Sequence, residues 1–277
     1  MGFFGKLGAD GYHIITNGYG SPSVRRSPLM RKGDCVYMQS YVIHLIRHGV
    51  SEGSLEGRYV GITDSPLSGE GRRQLQELRE KGIYPGAKAF FASPLRRCRE
   101  TAEILYPGAE VELIPEFREC NFGNWENKTA EEITAEDPSF AKWMENGSQA
   151  APPNGESGAA FMHRVCAAFE AFVERLMRQR ITESVLITHG GVIMTILSAY
   201  GLPRASFYDW MTESGCGYSL RITPGLWMRS MVAEVYTQIP AFPGEEKFRQ
   251  ERIVLDLARE AADRAYGEKV KTEESNA

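Results

Sequence analysis

The stretch YVIHLIRHGVSEG, residues 41–53, sets an Arg-His-Gly directly behind a run of apolar and β-branched residues. A short run of this kind, closed by glycine, reads as a buried β-strand. Arginine and histidine are poor core residues. The strand therefore ends either on simple surface decoration or on groups that do chemistry, and the rest of the chain has to decide between them.

Comparable runs occur at 89–93 (AFFAS), 111–117 (VELIPEF), 184–188 (SVLIT), 218–223 (YSLRIT) and 231–237 (MVAEVYT). Helical patterns fall between them: SGEGRRQLQELREKG, SPLRRCRETAEILY, TAEEITAEDPSFAKWMENG and ESGAAFMHRVCAAFEAFVERLMRQR. Strands alternating with helices of this length imply βαβ units, and so an α/β fold built on a mainly parallel sheet. The Pro/Gly-punctuated QAAPPNGES (149–157) reads as a loop within one domain spanning 38–243. Residues 1–37 have neither a sustained period nor the apolar core and cleavage site of a secretory signal, and are expected to be a poorly ordered extension. Residues 244–277 read as an appended amphipathic helix with a polar tail.

Composition narrows the function. The 277 residues are 42% hydrophobic and 25% charged, with a formal net charge of −4, ordinary for a globular protein. There is no global basic field to attract nucleic acid and no apolar run near the roughly 18 residues of a membrane span. Five scattered cysteines form no C-x-x-C pair, and five histidines show no metal-binding spacing. We therefore expect no metal, no cofactor, no nucleic-acid or membrane partner, and a reducing, cytoplasmic setting.

In open parallel α/β sheets, ligands bind outside the carboxyl ends of the strands. The first strand ends in Arg47-His48-Gly49, the second runs into Ser93-Pro94-Leu95-Arg96-Arg97, the third into Arg118-Glu119, and the fourth into His189-Gly190-Gly191. Histidines, arginines and a carboxylate are thus delivered to one edge of the sheet. Such a set suits a phosphate monoester: arginine forks neutralise the dianion in fixed geometry, and a neutral imidazole can attack phosphorus. A carboxyl group of raised pKa can protonate the leaving group. Glycine after each histidine would let backbone approach the ligand.

R-H-G-x-S, S-P-L-x-R, F-R-E-x-x-F-G-x-W-E and T-H-G-G occur here in an order that resembles the histidine phosphatases, the phosphoglycerate-mutase-like superfamily, over about residues 41–238. The resemblance implies a three-layer α/β sandwich with helices on both faces of the sheet. It implies His48 as the phosphorylated nucleophile, Arg47 and Arg97 as phosphate ligands, and Glu119 as the acid and then the base. His189 would be a further catalytic phosphate ligand, and Ser51 a phosphate contact. Ser54, where the family commonly has Asn, and Gly61 are candidate substrate-binding positions. Arg96 is expected to face solvent, and His44 and His163 to be structural. PPNGES looks like the P-P-G-G-E-S loop of α-ribazole and broad-specificity phosphatases, and only about 30 residues separate Trp125 from it. The expectation is therefore a metal-independent phosphatase acting on a small phosphorylated metabolite. Phosphoglycerate mutase chemistry is the alternative, followed by a non-catalytic phospho-ligand binder.

Overall fold

A computed structural model of the chain describes residues 39–146 and 150–242. The expected N-terminal extension (1–37) and C-terminal helix (244–277) lie outside the described residues. The strands are β1 (Tyr41–Arg47), β2 (Ala89–Ala92), β3 (Val111–Leu113), β4 (Glu183–Thr188), β5 (Gly201–Leu202), β6 (Gly217–Ile222) and β7 (Ala233–Ile239). They form one seven-stranded sheet in the order β3-β2-β4-β1-β6-β7-β5. Pairing is parallel from β3 through β2 and β4 to β1, antiparallel where β6 meets β1 and β7, and parallel again between β5 and β7. The expected mainly parallel α/β architecture is therefore present, with antiparallel pairing at β6.

Between the strands lie α1 (Glu52–Leu55), α2 (Gly69–Lys81), α3 (Arg96–Leu105), α4 (Ala130–Glu136), α5 (Ser139–Asn146), α6 (Gly158–Gln179), α7 (Gly190–Tyr200) and α8 (Pro224–Ser230). The helical pattern read in ESGAAFMHRVCAAFEAFVERLMRQR is α6, and its Phe161, Val165, Phe169, Phe172, Val173 and Leu176 are all buried, as a helix with one core-facing side requires. Together with Val192, Ile193, Ile196 and Leu197 of α7, they cover one face of the sheet. Leu75 of α2 and Cys98, Ala102 and Leu105 of α3 cover the other. The result is the three-layer sandwich.

Two segments depart from the sequence reading. VELIPEF is a strand only to Leu113; Pro115 opens a 3-10 turn over Pro115–Phe117, because proline has no N–H to offer a strand ladder. The single helix expected over TAEEITAEDPSFAKWMENG is two, broken where Pro138 follows Asp137, since proline disfavours helical geometry in the residue before it. Asp137 closes α4 and accepts from the N–H and hydroxyl of Ser139. No helix among the described residues is long and apolar enough to cross a membrane.

The topology creates one crevice. Chain leaving β1 and β2 runs through α2 and α3 on one face, whereas the chain enters β4 from α6 and leaves it into α7 on the other. β1 and β4 are parallel neighbours whose last residues, Arg47 and Thr188, are in register. A site at their carboxyl ends is where such a sheet holds ligands.

Candidate active site

Register builds the centre of the site. Because Arg47 pairs with Thr188, the next residues, His48 and His189, leave the sheet side by side, and their ring centroids lie 5.1 Å apart at 65°. The His48 N–H donates to the Thr188 carbonyl at 2.9 Å, continuing the ladder one step past the strand. Both rings are buried, His48 at 6% exposure and His189 at 0%.

The tautomer of His48 follows from its partners. Nδ1 lies 2.7 Å from the carbonyl oxygen of Gly49, an acceptor only, so Nδ1 carries the proton. Nε2 is left with its lone pair, which accepts from Arg97 Nε at 3.2 Å. Burial, then the Arg97 and Arg47 cations, hold the ring pKa well below the ordinary histidine value, against the smaller opposing effect of the Gly49 carbonyl. Near neutral pH this imidazole is uncharged and its lone pair is available.

Arg97 is 1% exposed. Its guanidinium donates to His48, to the carbonyls of Gly61 (2.7 Å) and Thr63 (2.9 Å), and to His189 Nδ1 (3.1 Å). The other His189 nitrogen, Nε2, donates to Ser93 Oγ at 2.8 Å. Burial, followed by Arg97 and His48, pulls the His189 pKa well down. The S-P-L-R-R motif therefore serves twice: its serine orients one histidine and its last arginine touches both. Arg96 faces solvent as expected, with its Nε on Glu100 at 2.8 Å.

Glu119 stands opposite. Its two oxygens accept from the N–H groups of Cys120 (3.0 Å) and Gly191 (3.1 Å). Burial raises its pKa, partly offset by those N–H groups and by Arg97 and Arg47. A Cβ on Gly191 would sit 2.5 Å from the Glu119 carboxylate, so the second glycine of T-H-G-G admits the acid. Gly49 differs from the expectation: a Cβ there would strike Leu75 and Leu67, so this glycine serves core packing and not ligand approach. Arg47 is steered by a bond from Nη1 to the Thr212 carbonyl at 2.6 Å, while its Nε is buried without a partner.

A cavity of about 370 Å³ opens over these groups, lined by Arg47, His48, Ser54, Arg58, Glu119, Gly190 and Gly191, with Val60, Met194 and Met211 as its apolar part. Arg97 and His189 are not in the wall; Arg97 reaches the site through its bond to His48 Nε2. Ser51 is fully buried and caps α1, its Oγ accepting from the Ser54 N–H and lying 2.7 Å from Ser54 Oγ. It does not line the cavity, whereas Ser54 does. Gly61 is also outside the wall; its carbonyl holds Arg97 and its Cα side faces Cys120. His44 is buried in the sheet on Ser219 Oγ at 2.8 Å. His163 is exposed on α6. Trp125 is core, donating to Asp137.

Several contributors escaped the sequence reading. Arg58 reaches the cavity rim, tied to Glu56 and Glu132. Arg164 on α6 grips the acid-bearing segment, bonding the carbonyls of Glu116 and Arg118 and pairing with Glu156 of PPNGES. Glu126 gathers the loop at 61–63. Two of them, Glu126 and Glu156, are carboxylates inside recognisable motifs, the signal that could have found them. Among the described residues, no group of three or more His, Cys, Asp or Glu is placed to hold a metal ion.

The fold defines a three-layer α/β protein with two buried histidines at one edge of its sheet, and comparison with known proteins gives the family. Residues 43–233 match the model of the histidine phosphatase superfamily (branch 1), and the chain belongs to that superfamily. It is 32% identical over 186 residues to the adenosylcobalamin/alpha-ribazole phosphatase of Salmonella typhimurium, covering 65% of this chain and 90% of that protein. It is 30% identical over 165 residues to the probable phosphoglycerate mutase GpmB of Escherichia fergusonii, covering 58% and 75%. Among solved structures, the alpha-ribazole phosphatase of Shigella flexneri superposes with a TM-score of 0.59 at 29% identity, over 70% of this chain and 94% of that one.

Proposed function

We propose that this protein is a phosphomonoesterase that works through a phosphohistidine on His48. The observation that carries the reading is the single lone pair of His48 Nε2, presented beside the Arg97 guanidinium at a cavity that Arg47 and Glu119 also line. The ester phosphate enters against Arg47. Nε2 forms a bond to phosphorus as the P–O bond to the alcohol breaks, and Glu119 gives its proton to the departing oxygen. The imidazolium so formed keeps its Nδ1–H on the Gly49 carbonyl, which stabilises the new positive charge. The Arg97 Nε–H, no longer opposite a lone pair, is free to turn to a phosphoryl oxygen. Ionised Glu119 next takes a proton from water as that water attacks phosphorus. The P–N bond breaks, leaving inorganic phosphate and the starting enzyme. Fixed donors that meet the phosphoryl oxygens supply most of the stabilisation.

Hydrolysis is favoured over mutase chemistry by the first relatives, which are named as phosphatases. The PPNGES loop lies against the acid-bearing segment, with Pro153 O accepting from Asn124 N and Glu156 N donating to Asn121 O. A small phosphorylated metabolite is the substrate class, and alpha-ribazole phosphate is a named candidate to assay first. The test is phosphate release from p-nitrophenyl phosphate and a phosphomonoester panel with chelator present, run beside His48→Ala. Release by the wild type alone supports the reading. Turnover of 3-phosphoglycerate only with a bisphosphoglycerate primer would replace it with a mutase.

A further inference from the structure

One carboxylate outside the cavity bonds to two of the loops that build it. Glu126 accepts five hydrogen bonds: Oε1 from the N–H groups of Ile62 and Phe122, each at 2.9 Å, and Oε2 from Gly61 N and Thr63 N, each at 3.1 Å, and from the Thr63 hydroxyl. Gly61 and Thr63 are the residues whose carbonyls hold the Arg97 guanidinium. Phe122 belongs to the segment that begins at Glu119. The two loops touch directly where the Gly61 backbone meets the Cys120 carbonyl, so closely that a Cβ on Gly61 would lie 1.8 Å from that oxygen.

We propose that Glu126 is a positioning residue for phosphoryl transfer: it clamps the 61–63 loop to the Glu119 segment and so sets where Arg97 stands relative to the His48 lone pair and the Glu119 acid. Neutral loops alone would leave the Arg97 carbonyl anchors to find their own place. A carboxylate with four lone-pair sites converging on five donors holds them as one body. No neutral isostere reproduces this. In glutamine the amide nitrogen would face N–H donors on whichever side it turned: at the Oε1 position it would lose Ile62 and Phe122, and at the Oε2 position the N–H groups of Gly61 and Thr63. The inference rests on the phosphohistidine reading of the site.

The test compares Glu126→Gln and Thr63→Val with the wild type on p-nitrophenyl phosphate, together with inhibition by vanadate, a mimic of the transferring phosphoryl group. Loss of registration should lower kcat roughly 10- to 100-fold in Glu126→Gln. KM should change little, and vanadate inhibition should weaken about as much as kcat falls. Thr63→Val, which removes one donor from the clamp, should show the same pattern at smaller size, and it carries the test if Glu126→Gln does not fold. Variants that melt cooperatively and keep kcat and vanadate affinity within about twofold of wild type would overturn the inference. An inactive wild type would instead overturn the phosphatase reading beneath it.

Discussion

Arg97 Nε lies 3.2 Å from His48 Nε2, so the buried cation donates to the one lone pair through which His48 can act as a nucleophile. The contact aims the ring, lowers its pKa and places positive charge where a phosphoryl group would arrive.

Replacing His48 with alanine removes the nucleophile and should cut turnover roughly 10³-fold or more. Rapid acid-free quenching of the wild type with labelled substrate should trap an acid-labile, alkali-stable phosphoryl adduct that the variant lacks. Full activity in His48→Ala would move the nucleophile elsewhere.

Arg97→Ala should lower kcat by roughly 10²–10³-fold, the size seen when a fixed transition-state donor is lost. It also strands the carbonyls of Gly61 and Thr63 and His189 Nδ1, so stability should fall by about 2 kcal/mol or more. Arg97→Lys should not rescue activity, because a point charge cannot serve four acceptors held in a planar fork. Steady-state kinetics and thermal melts of the two variants check both parts.

The pH profile of kcat/KM should be a bell displaced to the acid side. Its rising limb reports loss of the His48 proton, below the ordinary histidine value. Its falling limb reports loss of the Glu119 proton, above the ordinary carboxylate value. Glu119→Gln should abolish the falling limb and lower the rate on poor leaving groups by about 10²–10⁴-fold, with a smaller loss on p-nitrophenyl phosphate, whose phenolate needs less help.

Stability should depend on pH through the buried histidines. His48 and His189 both have folded-state values below the unfolded 6.5, so on acidification the unfolded chain takes up protons first. Their contribution is therefore fully present above about 6.5 and is lost as pH falls from there towards the folded-state values. Melting temperature should drop across this window in the wild type and drop less steeply in His189→Asn. Equal slopes would show that His189 does not titrate in this way.

Gly61→Ala should be destabilising by about 1–3 kcal/mol or more, the cost of overpacking, and should lower activity, because its Cβ meets the Cys120 carbonyl. Gly69→Ala, at the start of α2 with nothing within 4 Å of the added carbon, should be neutral or slightly stabilising. Melting both beside the wild type separates close approach from glycine content.

Much of the site was legible because strand ends and motif order are local features. The positions of His48 and His189 at one edge follow from the apolar runs before them and the rule for open sheets, whereas Glu119 comes after a 3-10 turn that the strand reading of VELIPEF did not contain. Side-chain orientation was not legible in the same way. Ser51 sits one step from the cavity, yet it turns inward to cap α1. Gly49 and Gly191 each follow close behind a histidine, but one faces Leu75 and the other faces Glu119. Nothing local distinguishes them; what differs is the element packed against each.

The α/β class, the edge of the sheet where reactive groups collect and the family can be read along the chain, because hydrophobic period, glycine and proline placement and motif order act over short distances. That Arg97 donates to His48 Nε2, that the Gly49 carbonyl selects the tautomer and that Glu126 ties the two loops of the site together follow from the tertiary structure alone. Those relationships join residues 49 to 65 positions apart, or set the direction of one buried side chain. Hydrogen bonds of this kind exist only once β1 and β4 have come into register and the core has closed around them.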